Sequence, residues 1–225
     1  MPNPDDFIIT RKRKKYKFAK FANAKNCFEF DEWGQRPADV IEIGAGTGLF
    51  SVELATRHPE TTYVAVDVKG DRLQKGAYEA LERGLENIFF VRARADQLPE
   101  LFTPRSTQTI WVTFPDPFPK QRSAGRRLTH PHFLACYETL LLPEGVVRLK
   151  HDNPAFFAWS LEQFVACQWK VRELAFDVHE SELSSEYKIT TSYEQRWLEA
   201  GRTIGYTAAT PPSKKESPEW LGAKR

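Results

Sequence analysis

Residues 39–48 read Asp-Val-Ile-Glu-Ile-Gly-Ala-Gly-Thr-Gly, a short apolar run that leads directly into a loop with three glycines. Glycine lets the backbone turn tightly and approach a ligand without a clash from Cβ. The spacing of Gly44, Gly46 and Gly48 is one residue tighter than in the dinucleotide fingerprint G-x-G-x-x-G. A tight turn without a ligand is the alternative explanation of these glycines.

Strand-like and helix-like segments alternate on the C-terminal side of this loop. Apolar runs predict further strands at 63–67, 88–92, 109–114, 146–151 and 170–178. Longer segments predict helices at 49–58, 70–83, 155–168 and, with Thr129 as its cap, from 129 to about 142. This alternation predicts an α/β fold with a mostly parallel central sheet and helices on both faces. Ligands of such sheets bind at the carboxyl ends of the strands.

The chain of 225 residues is 41% hydrophobic and suits one sizeable core. Its net charge is only +2, but residues 11–25 contain eight lysines and arginines and no acid. We divide the chain into a basic arm at 1–30, a main folded domain at 31–209 and a tail at 210–225. The arm is either a solvated extension or a contact for nucleic acid.

Several classes of protein and site are disfavoured by the sequence. Cys27, Cys136 and Cys167 are isolated, and His130 and His132 have no third ligand nearby, so no metal or redox site is expected. No apolar run approaches the ~20 residues of a membrane span, and the N-terminus does not resemble a signal peptide. The predicted location is the cytoplasm.

Two acids flank the glycine loop in positions that suit a ligand with a ribose and a positive charge. Asp67 ends the strand after the loop, where a carboxylate can accept hydrogen bonds from two ribose hydroxyls. Glu42 precedes the loop and attracts a cationic ligand through its charge. The spacing of Gly44, Gly46 and Gly48 resembles the first motif of Rossmann-like methyltransferases, and together with the two acids this resemblance implies an adenosyl-cofactor site.

A rigid acidic loop follows the strand at 109–114. Residues 113–120 read Thr-Phe-Pro-Asp-Pro-Phe-Pro-Lys, so Asp116 stands between two prolines. Because proline fixes φ, this carboxylate is held rigidly at the carboxyl end of a central strand. Lys120, Arg122, Arg126 and Arg127 follow, with no acid from 117 to 137. These cations form either a phosphate-binding surface or a solvated face.

The segment 114–128 resembles the F-P-D-P-W-P-K...R-R-L stretch of bacterial tRNA (guanine-N7-)-methyltransferases. Three further segments match that family in order: 127–134, 146–152 and 191–196, which reads Thr-Ser-Tyr-Glu-Gln-Arg. Residues 201–206 are similar to its closing strand, so the resemblance spans about 35–206. It implies a Rossmann-like methyltransferase fold and transfer of a methyl group from S-adenosylmethionine to N7 of a guanine in the variable loop of tRNA.

The resemblance also implies roles for single residues. Asp116 is the expected catalytic residue and also contacts the cofactor, whose other expected contacts are Glu42, Gly44, Gly46, Asp67 and Arg94. The expected substrate-binding residues are Lys120, Arg122, Arg126, Arg127, Asp152, Thr191 and Glu194. The expected partner is tRNA, without membrane or metal, and the chain is a monomer or a homodimer.

The chain departs from the family pattern in three places. Phe118 stands where the family usually has Trp, and His151 stands where it usually has Thr. The acid or amide that touches adenine falls on Arg94, with Asp96 two residues later as the alternative.

Simpler explanations of the candidate residues remain open. Asp152 could cap the helix that begins at Pro154, and Glu194 could be an ordinary helix residue. Trp111 and Trp159 are expected in the core. Competing functions are a methyltransferase with another acceptor, a nicotinamide-dependent oxidoreductase, and an RNA-binding module without activity. The basic segment after Asp116 argues against another acceptor, and the glycine spacing argues against an oxidoreductase. The set of acids argues against an inactive RNA-binding module.

Overall fold

The computed structural model describes residues 12–212 of the chain; the ends of the predicted arm and tail lie outside these residues. Eight strands form one sheet in the order β1-β4-β3-β2-β5-β6-β8-β7. The strands are β1 Cys27–Glu29, β2 Val40–Ile43, β3 Tyr63–Asp67, β4 Ile88–Arg92, β5 Thr107–Thr113, β6 Leu141–His151, β7 Lys170–Ala175 and β8 Gly205–Thr210. Strands β1 to β6 pair in parallel, and β8 runs antiparallel to both of its neighbours.

Within residues 12–212, eight α-helices accompany this sheet. They are α1 Lys12–Asn23, α2 Phe30–Trp33, α3 Leu49–Arg57, α4 Gly70–Glu82, α5 Leu98–Leu101, α6 Pro131–Leu140, α7 Pro154–Ala166 and α8 Ser192–Glu199. Helices α2, α5, α6 and α7 bury apolar side chains against one face of the sheet, and α1, α3 and α4 do so against the other. The predicted α/β fold with helices on both faces is therefore confirmed. Across the described residues, no helix is long and apolar enough to cross a membrane.

The functional edge of the sheet follows from the strand order. Strands β3 and β4 lie on one side of β2, while β5 and β6 lie on the other. The direction in which successive strands are added to the sheet therefore reverses between β2 and β5. Crevices form outside the carboxyl ends of strands at such a switch point. The loop after β2 begins at Gly44 and the loop after β5 begins at Phe114, so both meet at this crevice.

Residues 12–33, most of which fall in the predicted basic arm, form α1, β1 and α2 on the body of the fold. Strand β1 extends the sheet through β4. Helix α1 buries Phe21 against Gly70, where a Cβ would lie 3.1 Å from the ring. The Phe21 ring therefore attaches this segment to α4.

Most predicted elements occur where the sequence placed them, and β3 and β4 match their predicted bounds. The prediction that Thr129 caps a helix is wrong, since α6 begins at Pro131 with His130 as its N-cap. The Thr129 hydroxyl instead hydrogen-bonds Ser160 Oγ at 2.8 Å. Strand β6 also begins at Leu141, five residues before its predicted start, because Leu141 pairs with Thr107 of β5.

Candidate active site

A cleft of about 230 Å³ opens at the switch point of the sheet. Its walls come from the carboxyl ends of β2, β3 and β4 and from the loop after β5. Gly44 and Asp67 line one side, and Pro115, Asp116 and Phe118 line the other. The structure therefore brings the predicted glycine loop, the predicted ribose-binding acid and the predicted catalytic acid together.

The glycine loop holds the Asp67 carboxylate in place. The Gly46 N–H donates to Oδ2 at 2.9 Å, and the Lys69 N–H donates to Oδ1 at 2.8 Å. Gly44, Gly46 and Gly48 have φ values of 69°, 57° and 69°, which a residue with a side chain rarely adopts. Burial raises the pKa of Asp67, and the two N–H donors oppose this shift. Each oxygen keeps a free lone pair, so the carboxylate fits a vicinal diol.

The side chains of Arg94 and Asp96, predicted as alternatives for the adenine contact, do not line the cleft. Arg94 pairs with Asp96 through two hydrogen bonds of 2.9 Å, and 64% of the Arg94 side chain is exposed. The cleft is lined here by the small side chains of Val68, Ala93 and Ala95. These residues form an apolar slot for a flat group, with neither member of the Arg94 and Asp96 pair in it.

Glu42 is buried behind the cleft rather than in it. Its carboxylate accepts hydrogen bonds from Ser51 Oγ at 2.6 Å and from Thr113 Oγ1 at 2.5 Å. Burial raises the pKa of Glu42 to about 7, although these two hydroxyls oppose the shift. The structure thus leaves Glu42 no direct contact with a ligand in the cleft, and its influence there is limited to its charge.

Asp116 is exposed at the mouth of the cleft, on a loop fixed at both ends. Phe114 and Phe118 have φ values of 48° and 39°, a strained conformation that persists only where the surroundings impose it. The Phe114 N–H donates to the Lys150 carbonyl at 2.9 Å, and the Arg127 guanidinium donates to the Phe118 carbonyl at 3.1 and 3.3 Å. None of the hydrogen bonds found within residues 12–212 uses the Asp116 carboxylate, which leaves it free for a substrate.

The basic segment after this loop divides into two environments. Lys120, Arg122 and Arg126 are exposed, and the Arg126 guanidinium lies 4.3 Å from the centre of the Phe118 ring at the cleft. Arg127, predicted to bind phosphate, is instead buried, with its guanidinium 4.3 Å from the centre of the Trp159 ring. It is occupied with the Phe118 carbonyl and is not available to a phosphate.

Asp152 lies at the end of β6 in a second cleft of about 270 Å³. Its Oδ2 accepts a hydrogen bond from Arg202 Nη1 at 2.6 Å. The cap of α7 is Asn153, whose side chain accepts from the Phe156 N–H, so the alternative role of Asp152 as a helix cap is wrong. The carboxylate faces the same edge of the sheet as Asp116 but does not line the first cleft.

Thr191 and Glu194 do not reach either cleft. Thr191 caps α8 by accepting from the Glu194 N–H at 3.3 Å. The buried Glu194 carboxylate lies 2.7 Å from Lys150 Nζ and 2.8 Å from His179 Nε2. The structure thus gives both residues roles inside the protein, where the resemblance implied substrate contacts. Helix α8 meets the acidic loop through Tyr193, whose ring centre lies 5.3 Å from that of Phe114.

Residues 36–207 match a protein-family model described as "Putative methyltransferase". A tRNA (guanine-N(7)-)-methyltransferase of Brevibacillus brevis is 37% identical over 174 residues, which is 77% of this chain and 81% of that protein. The protein of the same name from Bacteroides thetaiotaomicron is 32% identical over 87% of this chain and 84% of its own. The chain belongs to the tRNA (guanine-N(7)-)-methyltransferase family.

A solved structure shares the fold of this family member at lower identity. The 16S rRNA methyltransferase KamB superimposes with a TM-score of 0.60 at 17% identity, over 79% of this chain and 89% of its own. At this identity the similarity concerns the fold, which is the Rossmann-like methyltransferase fold expected from the sequence.

The sequence analysis did not predict some of the residues that line or support the two clefts. Lys69 and Arg72 line the cleft beside Asp67, and Arg202 holds Asp152. The position of Lys150 within the apolar strand 146–151 could have indicated that it is buried. Its partner Glu194 could not be found in this way, because it is 44 residues away in the sequence. Among the described residues, no group of three or more His, Cys, Asp or Glu side chains could hold a metal ion.

Proposed function

We propose that this chain transfers the methyl group of S-adenosylmethionine to N7 of a guanine in the variable loop of tRNA. The observation that carries the proposal is the position of Asp116. This free carboxylate lies on a rigid loop at the mouth of the cleft, and Asp67 lines the other side of the same cleft. The exposed basic segment follows the loop directly in the sequence.

The cleft suits the parts of an adenosyl cofactor. Asp67 accepts from the two ribose hydroxyls, since its orientation is fixed by backbone donors. The apolar slot of Val68, Ala93 and Ala95 takes the adenine ring. The Gly44 backbone borders the cofactor, and the ionised form of Glu42, whose pKa burial raises to about 7, favours the cationic end of the ligand. When bound, the cofactor supplies an electrophilic methyl group on a sulfonium.

The chemistry requires positioning more than proton transfer. N7 of guanine carries a free lone pair, so no proton has to leave before it attacks. The N7–CH₃ bond forms as the S–CH₃ bond breaks, and positive charge passes from sulfur to the purine. Asp116 orients the guanine by accepting from its N–H edge, and it stabilises the positive charge that develops on the ring. Asp152 contacts the base or its sugar from the neighbouring cleft.

The exposed cations place the RNA. Lys120, Arg122 and Arg126 lie next to the cleft, and Lys69 and Arg72 line it. A protein that neutralises several phosphates binds RNA with a steep salt dependence, of about 0.7 in log–log slope per contact for a single strand. With tRNA as its substrate, the chain acts in the cytoplasm, as a monomer or a homodimer.

The test is methyl transfer from labelled S-adenosylmethionine to unmodified tRNA transcripts, followed by identification of the product nucleoside. N7-methylguanosine that disappears when one guanine of the variable loop is replaced by adenine supports the proposal. Transfer to another guanine would overturn the position, and transfer to proteins or small molecules only would overturn the substrate. An RNA complex without methyl transfer would indicate an RNA-binding module.

The role of Asp116 is tested in the same assay. Asp116→Asn removes the charge at nearly constant size, and we expect kcat to fall about 100-fold, the scale of one lost electrostatic contact in a transition state. Glu100→Gln is the control, because Glu100 is an exposed acid outside the cleft. A wild-type kcat in Asp116→Asn would show that the carboxylate has no part in the reaction.

A further inference from the structure

His151 makes two hydrogen bonds that fix its protonation state. Its Nε2 lies 2.9 Å from the Pro115 carbonyl oxygen, and its Nδ1 lies 2.8 Å from the Asn153 backbone N–H. A carbonyl oxygen can only accept and a backbone N–H can only donate. The imidazole is therefore neutral, with its single proton on Nε2, where it donates to Pro115.

The surroundings of His151 keep it in this form. The ring is buried between Phe156 and Phe114, whose ring centres lie 4.4 and 6.4 Å away. The charged group that faces it is Asp152, with Oδ1 3.6 Å from Nδ1, and the other oxygen of Asp152 binds Arg202. The neighbouring Lys150 directs its ammonium to Glu194 instead. Burial lowers the pKa of His151, although Pro115 and Asp152 oppose the shift.

The carbonyl that His151 holds belongs to the residue directly before Asp116. The loop also has fixed points at Phe114 and Phe118, one at each end. Both of those residues are in the left-handed region, so the backbone between them is strained. Of the three attachments, the one at Pro115 is nearest to Asp116, and it is formed by an imidazole, a group that can gain a proton on acidification and whose pKa is lowered here by burial.

We propose that His151 is the positioning residue for Asp116, and that protonation of its imidazole withdraws Asp116 from the reaction. A proton on Nδ1 would turn this atom into a donor, so that it could no longer accept the hydrogen bond from the Asn153 N–H and would repel it. The ring would then turn toward Asp152 Oδ1, and its bond to Pro115 would weaken. His151 lines the second cleft beside Asp152 but not the first, so its effect on Asp116 passes through the loop. The proposal rests on the proposed role of Asp116 in methyl transfer.

Two variants separate a positioning role from a structural one. Gln at 151 can place an amide N–H close to the position of Nε2–H but does not titrate, whereas Ala removes the donor. We expect His151→Ala to lower kcat at pH 8 at least tenfold, with KM for S-adenosylmethionine changed less than threefold. His151→Gln should recover kcat to within about threefold of wild type. Equal kcat in Ala and wild type would overturn the proposal.

The pH profile gives the second readout. The wild-type kcat should fall on the acid side of pH ~6.5, the ordinary pKa of histidine, with its midpoint displaced downward by burial. The profile of His151→Gln should lack this acid limb. An identical acid limb in both proteins would assign the titration to another group and overturn the switch. Asn153→Ala is the control for damage to α7, because it removes the cap but keeps the backbone N–H that faces His151.

Hydrogen exchange tests the attachment without any activity. The peptide 112–126 should exchange at least tenfold faster in His151→Ala than in wild type or His151→Gln, at a pH where all three are folded. Unchanged exchange in this peptide would overturn the attachment. If the wild type failed to methylate tRNA but the three proteins showed this exchange pattern, the proposed function would be wrong and the attachment of the loop by His151 would still be supported.

Discussion

Arg127 donates two hydrogen bonds to the Phe118 carbonyl while its guanidinium lies over the indole of Trp159. The adjacent Arg126 is exposed, with its guanidinium at the mouth of the cleft. Two consecutive arginines thus perform different tasks: one fixes the end of the acidic loop, and the other is free to meet the substrate.

The two arginines should respond differently to replacement by alanine. Arg127→Ala leaves the Phe118 carbonyl without its donor, so we expect the free energy of unfolding to fall by about 1–3 kcal/mol. Arg126→Ala should leave that free energy within about 0.5 kcal/mol and raise KM for tRNA, with a shallower salt dependence. Urea unfolding and steady-state kinetics on the two variants make the comparison. The reverse pattern would mean that Arg127 contacts RNA.

Asp67→Ala should weaken cofactor binding. The carboxylate would no longer accept from the ribose hydroxyls, and charged hydrogen bonds contribute about 1.5–3 kcal/mol, so Kd should rise about 10–100-fold. Calorimetry with S-adenosylmethionine measures the change. Asp71→Asn is the matched control, since Asp71 lies nearby on α4 but does not line the cleft. A Kd within twofold of wild type in Asp67→Ala would remove Asp67 from the cofactor site.

Glu42 should make stability depend on pH. Its pKa is about 7 in the folded chain against an ordinary 4.5, so the folded state holds the proton more tightly. The resulting stabilisation is complete below pH ~4.5 and is lost as pH rises through 7, by up to about 3 kcal/mol. Glu42→Gln does not titrate, so its stability relative to wild type should increase between pH 5 and pH 8 in urea unfolding. A constant difference would show that Glu42 titrates normally.

Replacing one member of the buried pair of Lys150 and Glu194 should lower the free energy of unfolding. Both side chains are fully buried, so Lys150→Met leaves the Glu194 carboxylate with only the His179 imidazole as its partner, and we expect a loss of about 3 kcal/mol. The double variant with Glu194→Leu should recover most of it. The exposed pair of Arg57 and Glu53 is the control, for which Arg57→Met should cost less than about 1 kcal/mol. Denaturant unfolding of the four proteins completes the comparison, and a double variant no better than the single one would contradict it.

The predictable part of the fold consists of segments with a strong local pattern. Residues 63–67 and 88–92 are apolar runs bounded by polar or turn-forming residues, and both are strands at those bounds. The start of β6 was missed because Pro143 and Gly145 indicate a turn, whereas Leu141, ahead of them, pairs with Thr107 of β5 before a shift in register. The cap of α6 was missed for a similar reason, since Ser160 on α7 competes for the Thr129 hydroxyl.

The sequence by itself determined the fold class, the family and the two ends of the cleft, Asp67 and Asp116. It could do so because glycine spacing, proline positions and strand ends are local properties that a short segment carries. Only the tertiary structure decided which charged residues line the cleft and which are buried elsewhere. Arg127 and Glu194 are chemically indistinguishable from exposed neighbours in the sequence, and contacts with Trp159 and Lys150, 32 and 44 residues away, bury them. A charge is buried only where the fold supplies its partner, and that partner is set by long-range packing.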